Sequence, residues 1–299
     1  MSLRSSSKTK KISTIRNISS NNARPPEAIL IMYREYAKVG DNDATLNSKQ
    51  VNKCKCVKYE VRNNEKTGLM DRDIELKKCN KPVKPGTDFC DAHQNCLGYL
   101  RNFVNGFEPP YEPNAWAHPY IEGSHNCYAY FLDDRKQSIA AKCEEFCLKN
   151  NKEGCPKKDD DCQNLIPQPG HSYKYKKNNS SDQDRIYSCP NMINKVLADN
   201  PTIRPARLTD KCPANYYKGA MVVDRGNTFH FYRQNKDATW SHKPGILPVT
   251  NIDADGKQIY IPHFANRNYS KDRDEPIVYN DFCGYFCIPT NAYFETSLA

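Results

Sequence analysis

The sequence predicts an α+β fold, and three observations carry that reading. Ser124-His125-Asn126-Cys127-Tyr128-Ala129-Tyr130 leads into a stretch without Gly or Pro, which suits a helix beginning near Cys127. Residues 219–224, 225–227, 228–234 and 239–243 read as strand, turn, strand and strand, an antiparallel meander. Ahead of both, Cys54, Cys56, Cys79, Cys90, His93 and Cys96 crowd into about forty residues, with side chains of metal-ligand type.

Composition narrows the classes. The 299 residues suffice for one large domain or two smaller ones. Nineteen Tyr and twenty Pro favour strands and irregular connections over a helical bundle. No apolar run approaches the roughly 20 residues of a membrane span. The basic N-terminus lacks the apolar centre of a secretory signal, so an intracellular protein is expected. In a reducing compartment the fourteen cysteines are expected as metal ligands, core thiols or a nucleophile rather than as a disulfide framework. The net charge of +9 would favour an acidic partner.

Taken in order, residues 1–25 are a Ser-, Lys- and Arg-rich tail, expected to be disordered and able to tether an acidic protein or nucleic acid. Residues 26–100 hold a short helix over 27–37 and the expected zinc module. Cys90 and His93 are three apart, so one turn can present both to one ion. Cys79 and one of Cys54 or Cys56 would complete four ligands, with Cys96 a further candidate. Pro85-Gly86 supplies a turn just before Cys90. Residues 101–118, rich in Pro and aromatics, read as an extended linker. Residues 119–299 form the main domain, with a cysteine-rich insert at 143–162. There Ser138–Lys149 has helical periodicity. Cys143, Cys147, Cys155 and Cys162 could be a second metal site, disulfides or core thiols. Ser188 and Pro190 open a helix running to Ala198. Residues 282–288 read as a closing strand with Cys283 and Cys287 in the core.

The chemistry is read from Cys127 and His230. A cysteine at a helix N-terminus feels the positive end of the dipole, which lowers its pKa and favours the thiolate. His230 lies about a hundred residues downstream in a strand, the order expected of a cysteine peptidase or amidase. The backbone N–H of Cys127 can serve an oxyanion, with Asn126 or Asn114 as a side-chain donor. His125 adjoins the cysteine, but neighbouring side chains at a helix start diverge, so His230 is preferred as base. His242 would share a face with His230 if the intervening loop is odd in length. Asn251 and Asp253 are alternatives for that third position.

Two resemblances extend this reading. Cys54 to His93 resembles a short zinc-binding motif, with Pro-Gly-x-x-Phe-Cys-x-x-His at its end, of proteins from large DNA viruses and some of their hosts. That resemblance implies a structural zinc ion and a virion or host-cytoplasm setting. Asn126-Cys-Tyr-Ala-Tyr130, Phe229-His-Phe-Tyr-Arg-Gln234, Trp240-Ser-His-Lys-Pro-Gly245 and Pro248–Asp253 look like a little-characterised bacterial and viral group. Its pattern is similar to papain-like NlpC-type peptidases and amidases. The implied architecture is a papain-like core, a helix carrying the cysteine packed on an antiparallel sheet. The implied roles are Cys127 as nucleophile, His230 as base and His242 as its orienter, acting on a peptide or amide substrate. The Asp-Cys-Ser-Gly start of many NlpC enzymes is absent, which argues against a cell-wall substrate. The rival expectation is a catalytically inactive papain-like binding or virion structural protein with a structural zinc site.

Overall fold

A computed structural model describes residues 53–63, 72–149, 160–171, 187–270 and 276–294. The expected tail over 1–25, the helix over 27–37 and Cys155 lie outside them. The chain is α+β. Among the described residues seven strands form two antiparallel sheets: a hairpin of β1 (Val57–Asn63) and β2 (Arg72–Lys78), and a five-stranded sheet. The larger sheet has the order β3 (Arg204–Ala206), β7 (Asp281–Pro289), β4 (Tyr216–Asp224), β5 (Thr228–Gln234), β6 (Trp240–Ser241).

The expected meander is present as β4-β5-β6. Its first turn closes at Asp224, whose carbonyl accepts from Asn227 N–H, with Gly226 at φ 76°. The strand read as closing the sheet is instead central: β7 lies between β3 and β4. Every residue of β7 is buried, as a strand covered on both faces requires.

The two faces of the sheet have different covers. Met221, Val223, Phe229, Phe231 and Ile288 meet the helices. Ala220, Val222, Tyr232, Phe282 and Tyr285 join a second cluster with Cys54, Cys90, Leu100, Ile259 and Ile261. Helix α1 (Cys96–Leu100) belongs to the N-terminal module. Helices α2 (Pro119–Ser124), α3 (Cys127–Phe131), α4 (Gln137–Lys149), α5 (Asp160–Gln163) and α6 (Cys189–Asp199) follow it. Helix α3 packs on β4 and β5. Phe131 and Phe231 rings are 4.6 Å apart, and Tyr217 Oη donates to the Phe131 carbonyl at 2.8 Å. Gly219 makes this approach feasible, since a Cβ there would lie 2.4 Å from the Phe131 ring.

Disulfides correct the expectation of reduced cysteines, and for Cys143, Cys147 and Cys162 they are the one of the three open alternatives that the structure takes. Cys56–Cys96, Cys143–Cys162, Cys189–Cys283 and Cys212–Cys287 are bonded, and Cys147 is also in a disulfide. Cys283 and Cys287 are therefore cross-links rather than core thiols. A bulge in β7 at Cys283 explains the first: Met221 opposes Gly284 while Val222 opposes Phe282, leaving Cys283 as the extra residue. That extra residue shifts the alternation, so Cys283 faces α6 and its partner Cys189, while Cys287 faces the opposite cluster. In the chain-entropy picture, loops of these lengths contribute roughly 3–5 kcal/mol each. Such bonds persist in oxidising compartments, against the reducing surroundings expected from the sequence. No helix among the described residues is long and apolar enough to cross a membrane.

Candidate functional site

The Cys/His cluster is built by local chain geometry. Lys84-Pro85-Gly86-Thr87 forms a tight turn, with Thr87 N–H donating to the Lys84 carbonyl and Gly86 at φ 76°. These are the residues a type II turn favours. A single 3-10 turn over Asp91–His93 then brings His93 back beside Cys90, with His93 N–H on the Cys90 carbonyl. The long insert between Cys56 and Cys79 is the β1–β2 hairpin. It returns the chain so that Cys79 N–H donates to the Cys56 carbonyl and Cys54 N–H to that of Lys81.

The donor atoms of Cys54, Cys79, Cys90 and His93 all lie within 4.8 Å of one another and could hold a metal ion. His93 Nδ1 is 3.5 Å from Cys54 Sγ and 3.4 Å from Cys90 Sγ, and the Cys79 and Cys90 sulfurs are 3.9 Å apart. Cys56 and Cys96, both considered as ligands, are bonded to each other instead. Cys96, in α1, takes up the Cys56 sulfur, while Cys54 Sγ stays beside His93 Nδ1. Burial pushes the Cys54 thiol up to about 11. Cys90, against the burial that would raise it, is drawn below its ordinary value by hydrogen bonds from Cys54 and Cys79.

The fourth unpaired cysteine of the described chain is Cys127. It is the first residue of α3, and Asn126 is the N-cap. Asn126 Oδ1 accepts from Tyr128 and Ala129 N–H, while its Nδ2 donates to the Pro167 carbonyl at 2.9 Å. The side chain proposed as an oxyanion donor is thus engaged in holding the helix start. Asn114 lies on a separate 3-10 turn, Pro113–Trp116. His125 points into the core: its Nδ1 meets Ser124 Oγ at 3.0 Å, and burial pulls its pKa down to about 4.

Cys127, His230 and His242 line one pocket of about 320 Å³. The connection from β5 to β6 is residues 235–239, with Arg233 opposite Ser241 and Gln234 opposite Trp240. Continued one step, that register sets Tyr232 against His242. His230 is then the diagonal neighbour on the same face, because the connection is odd in length. His230 Nε2 and His242 Nδ1 are 2.7 Å apart, and His242 Nε2 is 2.9 Å from the Ile252 carbonyl. The carbonyl can only accept, so His242 carries its proton on Nε2. Its Nδ1 therefore accepts from His230 Nε2–H, which leaves Nδ1 as the basic nitrogen of a neutral His230. Burial pulls His242 down to about 4, so it stays neutral in this chain. The Tyr279 ring stacks on His230 at 5.3 Å.

Asn251 and Asp253 serve the loop instead. Asn251 Nδ2 donates to Gln258 Oε1. Asp253 accepts from the N–H groups of Asp255, Lys257 and Asn266. The expected lowering of the Cys127 pKa meets an opposing effect. The side chain is buried, and burial pushes its thiol up to about 12, against the Phe231 backbone N–H, the Lys243 charge and the N–H groups of the helix start. A five-residue helix sums too few peptide dipoles to reverse that desolvation.

Lys243 was not visible as a site residue. It is wholly buried, and its Nζ donates to the carbonyls of Glu122 and Gly245, both at 2.8 Å. It fastens the segment after His242 to the helix that precedes Cys127. A lysine directly after a strand histidine carries no sequence signal of that role.

No family model matches the chain, and no solved structure matches it. A stretch of 73 residues is 34% identical to Insoluble matrix shell protein 1 of Ruditapes philippinarum, covering 24% of this chain and 43% of that protein. The chain thus spans less than half the length of the curated relative it matches, and similarity to that protein is what the comparisons add.

Proposed function

We propose that the protein is a cysteine-dependent hydrolase of amide bonds, a peptidase or amidase on a papain-like core, with a structural zinc site. One observation carries the catalytic reading: Cys127 shares a pocket with a histidine whose far nitrogen is held, through a second neutral histidine, by a backbone carbonyl. Nucleophile, base and orienter are the three parts such chemistry needs. In the proposed reaction His230 Nδ1 takes the Cys127 proton as the sulfur attacks the substrate carbonyl. The Cys127 backbone N–H receives the oxyanion. The resulting imidazolium protonates the leaving amine, and water, deprotonated by His230, resolves the thioester. A thiol raised by burial suits a resting Cys–His pair that is neutral on both sides and transfers its proton only when substrate enters.

The donor set fits zinc. With Zn–S near 2.3 Å and Zn–N near 2.0–2.1 Å, tetrahedral angles set sulfurs about 3.8 Å apart and sulfur to nitrogen about 3.6 Å. The separations of 3.9, 3.4 and 3.5 Å lie close to those values. Three thiols left unpaired in a chain rich in disulfides point the same way, since a bound ion would keep them from oxidising. Bound zinc would supply folding energy through Cys54, Cys79, Cys90 and His93, and four protein ligands close the site to substrate.

Native protein and Cys127→Ala, assayed on a panel of peptides and simple amides with zinc in place, test the reading. Hydrolysis lost in the variant supports it. A native protein inert on the panel, with Cys127 no more reactive than a buried thiol, sinks it. A second reading, an inactive papain-like protein of an extracellular matrix, is favoured by the disulfides and by the partial likeness to a matrix shell protein. That inert outcome is what it predicts.

A further inference from the structure

We infer that the pocket beside Cys127 takes an amide flanked by an uncharged aromatic side chain. The inference rests on the hydrolase reading of the same site and names its substrate class. Tyr187, Phe229, Tyr269 and Tyr279 come from four separate stretches of chain and converge on the pocket with Ile277. Among the described residues that line it, none is Asp, Glu, Lys or Arg. Charge is not scarce nearby; it is turned inward. Lys243, next to His242, spends its Nζ on two backbone carbonyls. Arg267, two residues before Tyr269, donates to the carbonyls of Tyr279, Pro262 and His263. Asp253, next to Ile252, is taken up by three backbone N–H groups.

A charged side chain entering here would lose part of its water and meet no Asp, Glu, Lys or Arg among the described residues that line the pocket. An aromatic ring would bury apolar surface against Phe229 and Ile277 and stack on the tyrosines. The volume of about 320 Å³ is at the low end for ligand sites, enough for about one ring and the amide beside it. Binding of N-acetyl-phenylalaninamide, N-acetyl-glutamic acid amide and N-acetyl-lysinamide to the full chain, followed by NMR titration in native protein and Cys127→Ser, tests this. The phenylalanine amide should bind at least about tenfold more tightly than either charged amide, in both proteins. Tyr187→Lys should narrow the gap for the glutamic acid amide only. Equal affinities, a preference for a charged amide, or no measurable binding of any of the three overturns the inference. Aromatic preference without turnover of phenylalanine amides would keep the pocket's chemistry and sink the hydrolase reading. Turnover with no preference would do the reverse.

Discussion

The four unpaired cysteines of the described chain occupy two sites that surround the same side chain differently, one with further sulfurs and a histidine, the other with rings. Cys54, Cys79, Cys90 and His93 bring their donor atoms within 4.8 Å of one another; burial pushes Cys54 up to about 11, while hydrogen bonds from Cys54 and Cys79 draw Cys90 below its ordinary value. Cys127 sits alone among rings, and burial drives it toward the thiol. The first site can release protons to a cation. Under the proposed reaction the second must have its proton taken by a neighbour. A cysteine's protonation thus follows from what its sulfur touches, and residue identity alone does not separate a candidate ligand from a candidate nucleophile.

The contrast is tested most severely by exchanging serine for cysteine at each site. Cys90→Ser should lose zinc to a competing chelator that leaves Cys127→Ser loaded, read as zinc per chain by elemental analysis. Structural zinc sites contribute roughly 10–16 kcal/mol over four ligands, so losing one ligand should cost about 3 kcal/mol, or two decades in affinity. Equal metal content in both variants would erase the distinction. Next in size is the base. With metal in place, alkylation of Cys127 should slow by about a hundredfold in His230→Ala, the scale of general-base assistance. His242→Ala should lie between that variant and native protein. Unchanged rates in both would separate Cys127 from the histidines.

Acid should act on the histidine side. His125 and His242 titrate near 4 and His263 near 3 in the folded chain, against 6.5 as the ordinary value, all chiefly through burial. As pH falls below about 6.5 the unfolded chain takes protons that the folded chain refuses, so stability falls progressively toward pH 4 and 3. The full loss is roughly 3 kcal/mol for each of His125 and His242 and nearer about 5 for His263. Urea melts of Cys90→Ser, its zinc removed by the chelator, at pH 7 and pH 4.5 should show it; superimposable melts would count against buried neutral histidines. The smallest effect concerns the link between the sites. Lys55, beside Cys54, is 3.9 Å from Asp253, beside the Ile252 that holds His242. Lys55→Ala should lower Cys127 alkylation by only about twofold, as a partly exposed ion pair allows, and Lys55→Arg should restore it. A large loss, or none that arginine rescues, would redraw that connection.

Much of this was legible in the chain. Cys127 at a helix start, the β4–β5–β6 meander and the Pro85-Gly86 turn before Cys90-x-x-His93 are local signals, fixed by backbone preferences a few residues long. His242 was legible only conditionally, because its face depends on the parity of a loop whose register Thr239 decides by leaving the strand. The β1–β2 hairpin hid inside what read as an insert, since its pairing is between segments and not within one. The disulfides were misjudged through the assumed compartment, and Cys189 and Cys212 carry no local mark of their partners.

The sequence by itself determined the fold class, the helix that presents Cys127, the strand that carries His230, and three of the four cluster residues, with the fourth narrowed to Cys54, Cys56 or Cys96. Those features follow from periodicity, turn residues and ligand spacing, which are short-range. The tertiary structure decided that Cys54 rather than Cys56 faces His93, that β7 is central, and that His242 backs His230. It also decided that burial, not the helix dipole, sets the state of Cys127. Each depends on register or desolvation, quantities that exist only once distant segments have packed together.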